Sequence, residues 1–341
     1  MRRELVCTTA TTPPSLALRD VALPRPARGE LRVRVQASSV NPIDVKRSAG
    51  YGQRLLALKG AARFPLVLGN DVAGVVESVG PGVIGFEPGQ PVYGLLGTGR
   101  NGGAHASHLT VSQDMLRPAP VGADPTALAV LPYSFTTMWL ALRASGLSAA
   151  NARGARVLVH GAGGGLGRLA VQWLAHWNSD VTAICNPADL RQLVELGARV
   201  AVERGPLSIQ SLPDDFDVVL NFASWDDDVR LASRLGPKAL GQATTVHPLL
   251  ANFDRLGWLG GAWATRRDRQ RVRATLHARA PEARYAWTIF KPDREALDAL
   301  AEGVRARRLA LPVGLAVPLA DAEAAFRHVS AGLPGRAVLL P

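Results

Sequence analysis

The pattern of apolar and polar positions changes character near residue 125. Before it, Leu31-Arg32-Val33-Arg34-Val35-Gln36-Ala37 alternates strictly, which predicts a half-buried strand. Val72-Ala73-Gly74-Val75-Val76-Glu77-Ser78-Val79 predicts a buried strand with a close backbone approach at Gly74. Gly80-Pro81-Gly82 and Pro88-Gly89 turn the chain, and Pro91-Val92-Tyr93 opens a further strand. Short strands punctuated by Gly and Pro predict a barrel-like domain over residues 1–125.

After residue 125 strands and helices alternate. One helix is predicted over Pro125–Ala144, then a strand Arg156–His160, a helix Leu166–Trp177 and a strand Val181–Cys185. A helix Asp189–Leu196 stops at Gly197, and strands Arg199–Val202 and Asp217–Asn221 follow. Such alternation predicts a parallel sheet with helices on both faces, over residues 126–290. Within it, Arg266–Arg284 reads as a polar surface helix and loop, and Tyr285–Phe290 as a last strand. Residues 291–341 hold a helix, Asp293–Arg307, and an apolar tail ending in Ala337-Val338-Leu339-Leu340. The fold class is therefore α/β.

The first strand of the alternating region runs directly into Gly161-Ala162-Gly163-Gly164-Gly165-Leu166-Gly167 and then a helix. A pyrophosphate must approach the backbone closely, and a Cβ at this turn obstructs it. The first helical N–H groups then face the phosphate oxygens, aided by the helix dipole. Between a strand and a helix, the glycine run predicts a dinucleotide site using Gly161, Gly164, Gly165, Leu166 and Gly167. An acid at the end of the second strand would hold the adenine ribose hydroxyls. Ile184-Cys185-Asn186-Pro187 has none there, and Arg191 and Arg204 follow. Asn186, Arg191 and Arg204 thus predict NADPH over NADH, with Asp189 as the residue that counts against it.

The combined pattern resembles the medium-chain dehydrogenase/reductase superfamily, in its zinc-free quinone oxidoreductase branch. The likeness rests on Ser39-Val40-Asn41-Pro42-Ile43-Asp44, Pro65 to Gly74, Leu131-Pro132-Tyr133 with Thr137 and Trp139, and the Gly161–Gly167 turn. Pro248 to Gly257 looks more particularly like the reticulon-interacting mitochondrial oxidoreductases. The resemblance implies a GroES-like β-barrel-type domain, built from the N-terminal part and the tail, and a Rossmann doubly wound domain between them. The active site would lie in the cleft. Zinc-dependent members carry Cys, His and Cys where Asn41, Asn70 and Tyr133 stand here, which cannot form the usual zinc site. The resemblance further places Asn41 and Thr137 by the nicotinamide and Arg336 by the ribose and pyrophosphate. Asn41, Tyr51, Tyr133 and Lys46 form the candidate catalytic set. His247 either touches the nicotinamide side or is a capping or solvated histidine. Trp258 and Trp263 wall a flat substrate pocket or pack in the core or a homodimer contact. Pocket shape depends on loops near Tyr51, Leu95 to Gly103 and Trp258.

Composition adds limits. The chain has 341 residues, 47% hydrophobic and 20% charged, ample for a sizeable core. No run approaches the roughly 18 apolar residues a membrane helix needs. Met1 to Cys7 lacks an apolar leader segment, and Cys7 and Cys185 show neither metal nor disulfide spacing, so a reducing, cytoplasmic setting is expected. The net charge of +11 is nearly all Arg, the only lysines being Lys46, Lys59, Lys238 and Lys291. Arginine suits a phosphorylated cofactor, a thioester carrier or nucleic acid, but solvated arginines of an Ala- and Arg-rich composition are the favoured explanation of the charge. Taken together, these features predict an NADPH-dependent, zinc-independent reductase of a quinone or an α,β-unsaturated carbonyl (enone, enal or enoyl). The alternative is a nucleic-acid-binding or NADPH-sensing protein without turnover. No reading motif and no basic stretch interleaved with stacking aromatics supports nucleic acid.

Overall fold

In the computed structural model, residues 1–98 and 103–341 are described; residues 99–102 of the Leu95–Gly103 loop lie outside them. The chain divides into two compact units, Met1–Tyr133 with Lys291–Pro341, and Ser134–Phe290.

The first unit is built around the strand Glu30–Val40, in which Leu31, Val33, Val35 and Ala37 are buried while Arg34 and Gln36 face out. This is the alternation read from the sequence. The strand Asp71–Val79 pairs with it antiparallel, and a Cβ on Gly74 would overlap the carbonyl oxygen of Arg34. The alternation ends in a buried run, Ser38-Ser39-Val40, because a strand from the far end of the chain covers it. Arg336–Leu340 pairs with it, Val338 opposite Ser39, and itself carries Val313–Pro318 on its other side. Pro91–Leu95, Leu116–Pro118 and His108–Ser112 complete this seven-stranded sheet, and Leu16–Val21, Arg2–Cys7 and Leu66–Val67 form a small second one.

The helix expected over Pro125–Ala144 is two helices, Pro125–Leu128 and Pro132–Ala144. Pro132 lacks an N–H and crowds the preceding turn, so it begins a helix rather than continuing one. The boundary between units accordingly falls after Tyr133, later than the change of texture.

The second unit is an open sheet of six parallel strands: β1 (Arg156–His160), β2 (Asp180–Cys185), β3 (Val200–Glu203), β4 (Val218–Asn221), β5 (Gly241–Thr244) and β6 (Arg284–Trp287). Their spatial order is β3-β2-β1-β4-β5-β6. The order reverses between β1 and β4, and in open α/β sheets ligands bind outside the carboxyl ends of the strands at that point. Leu158, Ile184, Phe216, Val219, Leu276 and Tyr285 belong to one buried cluster. Leu276 comes from a helix, Leu249–Arg279, where a shorter helix and loop were expected. This helix bends at Gly257, whose φ of +70° suits glycine. Trp258 and Trp263 on it are exposed, together with Leu256 and Leu259, so neither tryptophan belongs to the core. Among the described residues, no helix is long and apolar enough to cross a membrane.

Candidate active site

The glycine turn follows β1 directly. Gly161 has φ +83° and packs against Ala223, and a Cβ on Gly167 would overlap Gly161 O and approach Ala162 Cα to 2.5 Å. A Cβ on Gly163 would overlap the Asp189 carboxylate. Three of the glycines are thus demanded by the protein's own packing. Gly164 is different: it is exposed, and a Cβ there would meet only Gly161 O, at 3.5 Å, an ordinary contact. Gly164 is also the N-cap of the helix Gly165–His176, and no side chain caps that end. The N–H groups of Gly165, Leu166 and Gly167 therefore stand at an uncapped helix start beside a bare backbone, a cradle that fits a pyrophosphate. Trp173 on this helix packs edge-on against Phe135 and Trp139, with ring centroids 5.1 and 5.7 Å away. Those two rings belong to the helix that carries buried Thr137, so the aromatic cluster locks the two helices together.

The structure sorts the residues around the carboxyl edge. Asn186 is exposed at the end of β2. Asp189 is held by Arg168 at 2.5 Å, and Arg168 also donates to Gly163 O and Gln192 Oε1. Arg191 pairs with Glu195 one helical turn away and is almost wholly solvated, so it is not brought to the site with Arg204. Arg204 instead lines a cavity of about 310 Å³ with His160, Asp227 and Arg230. His160, the last residue of β1, is buried, and its Nε2 donates to Asp227 Oδ2 at 2.9 Å. Arg230 donates to the other carboxylate oxygen, and Arg204 stands 3.9 Å from Asp227. Burial first of all lowers the His160 pKa, against the pull of Asp227, and keeps the ring neutral. The sequence reading missed Arg230, Asp227 and His160. The signal available was His160 itself, sitting immediately before the turn.

His247 follows β5. Its ring lies flat on Trp287, with centroids 4.8 Å apart and planes within 1°. Nε2 donates to Thr288 O at 3.1 Å, and burial pushes its pKa down to about 4. These contacts fix the ring to the β6 end. Trp287 Nε1 in turn donates to Tyr285 Oη, which donates to buried Asp228 at 2.6 Å.

In the first unit, the positions that would hold zinc carry two amides and a phenol, and Asn41 joins a buried polar network around Asp71. Asp71 is fully buried. Its Oδ2 accepts from Ser39 Oγ at 2.5 Å and Asn41 Nδ2 at 2.8 Å, and its Oδ1 from the Tyr133 N–H at 2.6 Å. Asn41 Nδ2 also donates to Ser39 Oγ, and Asn41 Oδ1 accepts from Arg336. Both amide hydrogens of Asn41 are spent on this network, so its amide presents an acceptor rather than a donor. That revises its expected catalytic part: Asn41 orients Arg336. Asn70 donates to Leu96 O. Asp44 accepts from the Asn41 and Gly69 N–H groups, tying the helix start to the neighbouring turn. Burial is the largest cause raising the Tyr133 phenol pKa, helped by Asp44 and Asp71. Lys46 Nζ sits over the Tyr51 ring, 5.5 Å from its centroid, a cation–π pair that joins two of the candidate donors. Among the described residues, no group of three His, Cys, Asp or Glu could hold a metal ion.

Comparison with known proteins agrees with this geometry. The alcohol dehydrogenase GroES-like domain matches residues 27–121. The mitochondrial NAD(P)H oxidoreductase RTN4IP1 of Mus musculus is 31% identical over 322 residues, covering 89% of this chain and 79% of that protein. The 2-methylene-furan-3-one reductase of Solanum lycopersicum is 32% identical over 207 residues, 59% of this chain and 51% of that protein. The solved structure of the quinone oxidoreductase from Coxiella burnetii shares the fold, with a TM-score of 0.81 at 20% identity, covering 100% of this chain and 99% of that one. The chain is an oxidoreductase and belongs to the medium-chain dehydrogenase/reductase superfamily, in its zinc-free, quinone-oxidoreductase-like branch.

Proposed function

We propose that the protein is a metal-independent reductase that uses NADPH to reduce a quinone or an α,β-unsaturated carbonyl. The observation that carries this reading is the uncapped helix start at exposed Gly164, where the protein's own packing does not require a glycine. Bound NADPH supplies the hydride. Gly165, Leu166 and Gly167 hold its pyrophosphate through backbone N–H groups, beside the bare backbone of Gly164. Reduction leaves negative charge on the acceptor's oxygen, and donors aimed at that oxygen lower the barrier. Lys46, Tyr51 and Tyr133 are the side chains we assign to that task. A phenol with a raised pKa stays protonated at neutral pH and so keeps its donor hydrogen. The acceptor classes follow the similarity to the tomato reductase of an exocyclic alkene and to a quinone-oxidoreductase homologue of Spinacia oleracea.

The test is oxidation of NADPH at 340 nm in the presence of chelator, with NADH in parallel. Acceptors would be a benzoquinone, a naphthoquinone, an alkenal, an enone and an enoyl thioester. Chelator-resistant turnover of one class, faster with NADPH, is expected. Tight NADPH binding with no turnover on any acceptor would replace the enzyme by a sensor.

Two further parts of the reading concern setting and assembly. Both cysteines are buried and unpaired, which supports a reducing, cytoplasmic compartment. We assign the exposed Leu256, Trp258, Leu259 and Trp263 to a contact between two copies of the chain. Sedimentation velocity should show a dimer for the native chain and a monomer for Trp263→Arg; a monomeric native chain rejects the pairing.

A further inference from the structure

The helix Gly165–His176 carries a cation close to the end where a helix favours an anion. Arg168 is its fourth residue, and the positive end of the helix dipole opposes a guanidinium there. The side chain is nonetheless buried, 9% exposed, and its donors are matched. Nε donates to Gly163 O at 2.8 Å, Nη1 to Gln192 Oε1 at 2.6 Å and Nη2 to Asp189 Oδ1 at 2.5 Å. Tertiary partners, not the helix, decide this position.

The partner that matters is Asp189. Its Oδ2 fills the space where a Cβ of Gly163 would stand, one residue before exposed Gly164 and the uncapped helix start. An unpaired carboxylate at that place would repel a diphosphate arriving at the cradle. Arg168 sets an opposite charge in contact with it. The opposition of the two fields is felt at the end of β2. Burial pushes the Cys185 thiol up to about 11, Asp189 adds to that push and Arg168 works against it. Arg168 also pins the Gly163–Gly164 peptide, whose oxygen it binds while the Gly164 N–H donates to Gly161 O at 3.2 Å.

We propose that Arg168 is a positioning residue for the dinucleotide: it cancels the charge of Asp189 beside the glycine turn and so lets a diphosphate settle on the helix start. This rests on the dinucleotide reading above and goes past it, because it makes Asp189 a silenced charge rather than an acceptor for ribose hydroxyls. An acid in the ribose role presents its carboxylate to the sugar. Here Oδ1 is held by Arg168 and Oδ2 is turned against Gly163.

The experiment is calorimetric titration of the full chain with adenosine 5′-diphosphate, which carries both the ribose hydroxyls and the diphosphate, at low and high salt. Asp189→Asn should bind this probe roughly tenfold more tightly than the native chain, because Arg168 then stands by the cradle without a counter-charge. Arg168→Met should bind it roughly tenfold more weakly, and the double variant should return close to the native value. Both single changes should shrink at high salt. Asp189→Asn keeps an oxygen for Arg168 to bind, so its result decides even where Arg168→Met fails to fold. Weaker binding by Asp189→Asn overturns the inference, since it makes Asp189 a ligand of the ribose. Unchanged binding overturns it as well, since the charge then has no reach to the cradle. A folded double variant as weak as Arg168→Met leaves Arg168 a structural tether and overturns the cancellation. In all three cases a native chain that binds the probe keeps the dinucleotide reading. A native chain that does not bind it ends that reading and the inference together.

Discussion

Gly164→Ala should leave the protein folded and remove most of its affinity for NADPH, whereas Gly167→Ala should unfold the turn. The two substitutions add the same methyl group three residues apart. At Gly164 the new Cβ lies in open space, 3.5 Å from Gly161 O, and φ is −77°, which alanine accepts readily. Nothing in the protein resists it, but it occupies the cradle where phosphate oxygens would approach. At Gly167 the Cβ falls within 2.5 Å of Ala162 Cα and overlaps a carbonyl oxygen, both backbone atoms with little freedom to move. Overpacking of this kind costs about 1–3 kcal/mol and sometimes more. Thermal unfolding without ligand, paired with quenching of intrinsic fluorescence by NADPH, separates the cases. We expect Gly164→Ala to keep the native Tm and lose at least about tenfold in affinity, some 1.4 kcal/mol. We expect Gly167→Ala to lower the Tm by several degrees. A Gly164→Ala variant that binds NADPH normally would remove the cradle from the mechanism.

Asp71 should govern both stability and its pH dependence. Burial raises its pKa to about 6, against hydrogen bonds from Ser39, Asn41 and the Tyr133 N–H and the charge of Arg336. The sign follows from the two states. The unfolded carboxyl titrates near 3.8 and the folded one near 6, so between these values the folded protein binds more protons. Stability therefore falls as pH rises through that window, and the full cost of holding the buried charge is present above it, about 3 kcal/mol for a shift of this size. Asp71→Asn should flatten this dependence in urea titrations at pH 4.5 and 7. Asp71→Ala should destabilise by about 1–3 kcal/mol or more at neutral pH, because it leaves three buried donors without their acceptor. A pH profile identical in Asp71→Asn and the native chain would rule Asp71 out as the titrating group.

Much of the second unit was legible because each parallel strand is short, apolar and bounded by its own turn. β1 and the following glycine run were readable from neighbours in sequence alone. Gly74 was readable for a similar reason: a glycine inside a buried apolar strand marks a close approach. The long helix Leu249–Arg279 was not, since Gly257, Gly260 and Gly261 weaken its propensity and the packing of Val272 and Leu276 decides it. The Asp227 cluster was hidden for another reason. Its members come from the ends of three strands, and only the folded sheet makes them neighbours. Asp71 stood in view, but nothing local in the sequence names its partners. Its actual partners are Ser39, Asn41 and the Tyr133 N–H, and the tail strand, paired with Glu30–Val40, adds Arg336 through Asn41.

That pairing bears on how the protein is made. A ribosome releases the chain from its N-terminus, and the strand Glu30–Val40 appears early. One of its neighbours, Arg336–Leu340, is synthesised only after the whole Ser134–Phe290 unit. The Ser134–Phe290 unit has every strand it needs once Phe290 has emerged. The second unit can thus be complete while the first still exposes the bare edge at Ser38-Ser39-Val40, and the order of folding runs against the order of synthesis.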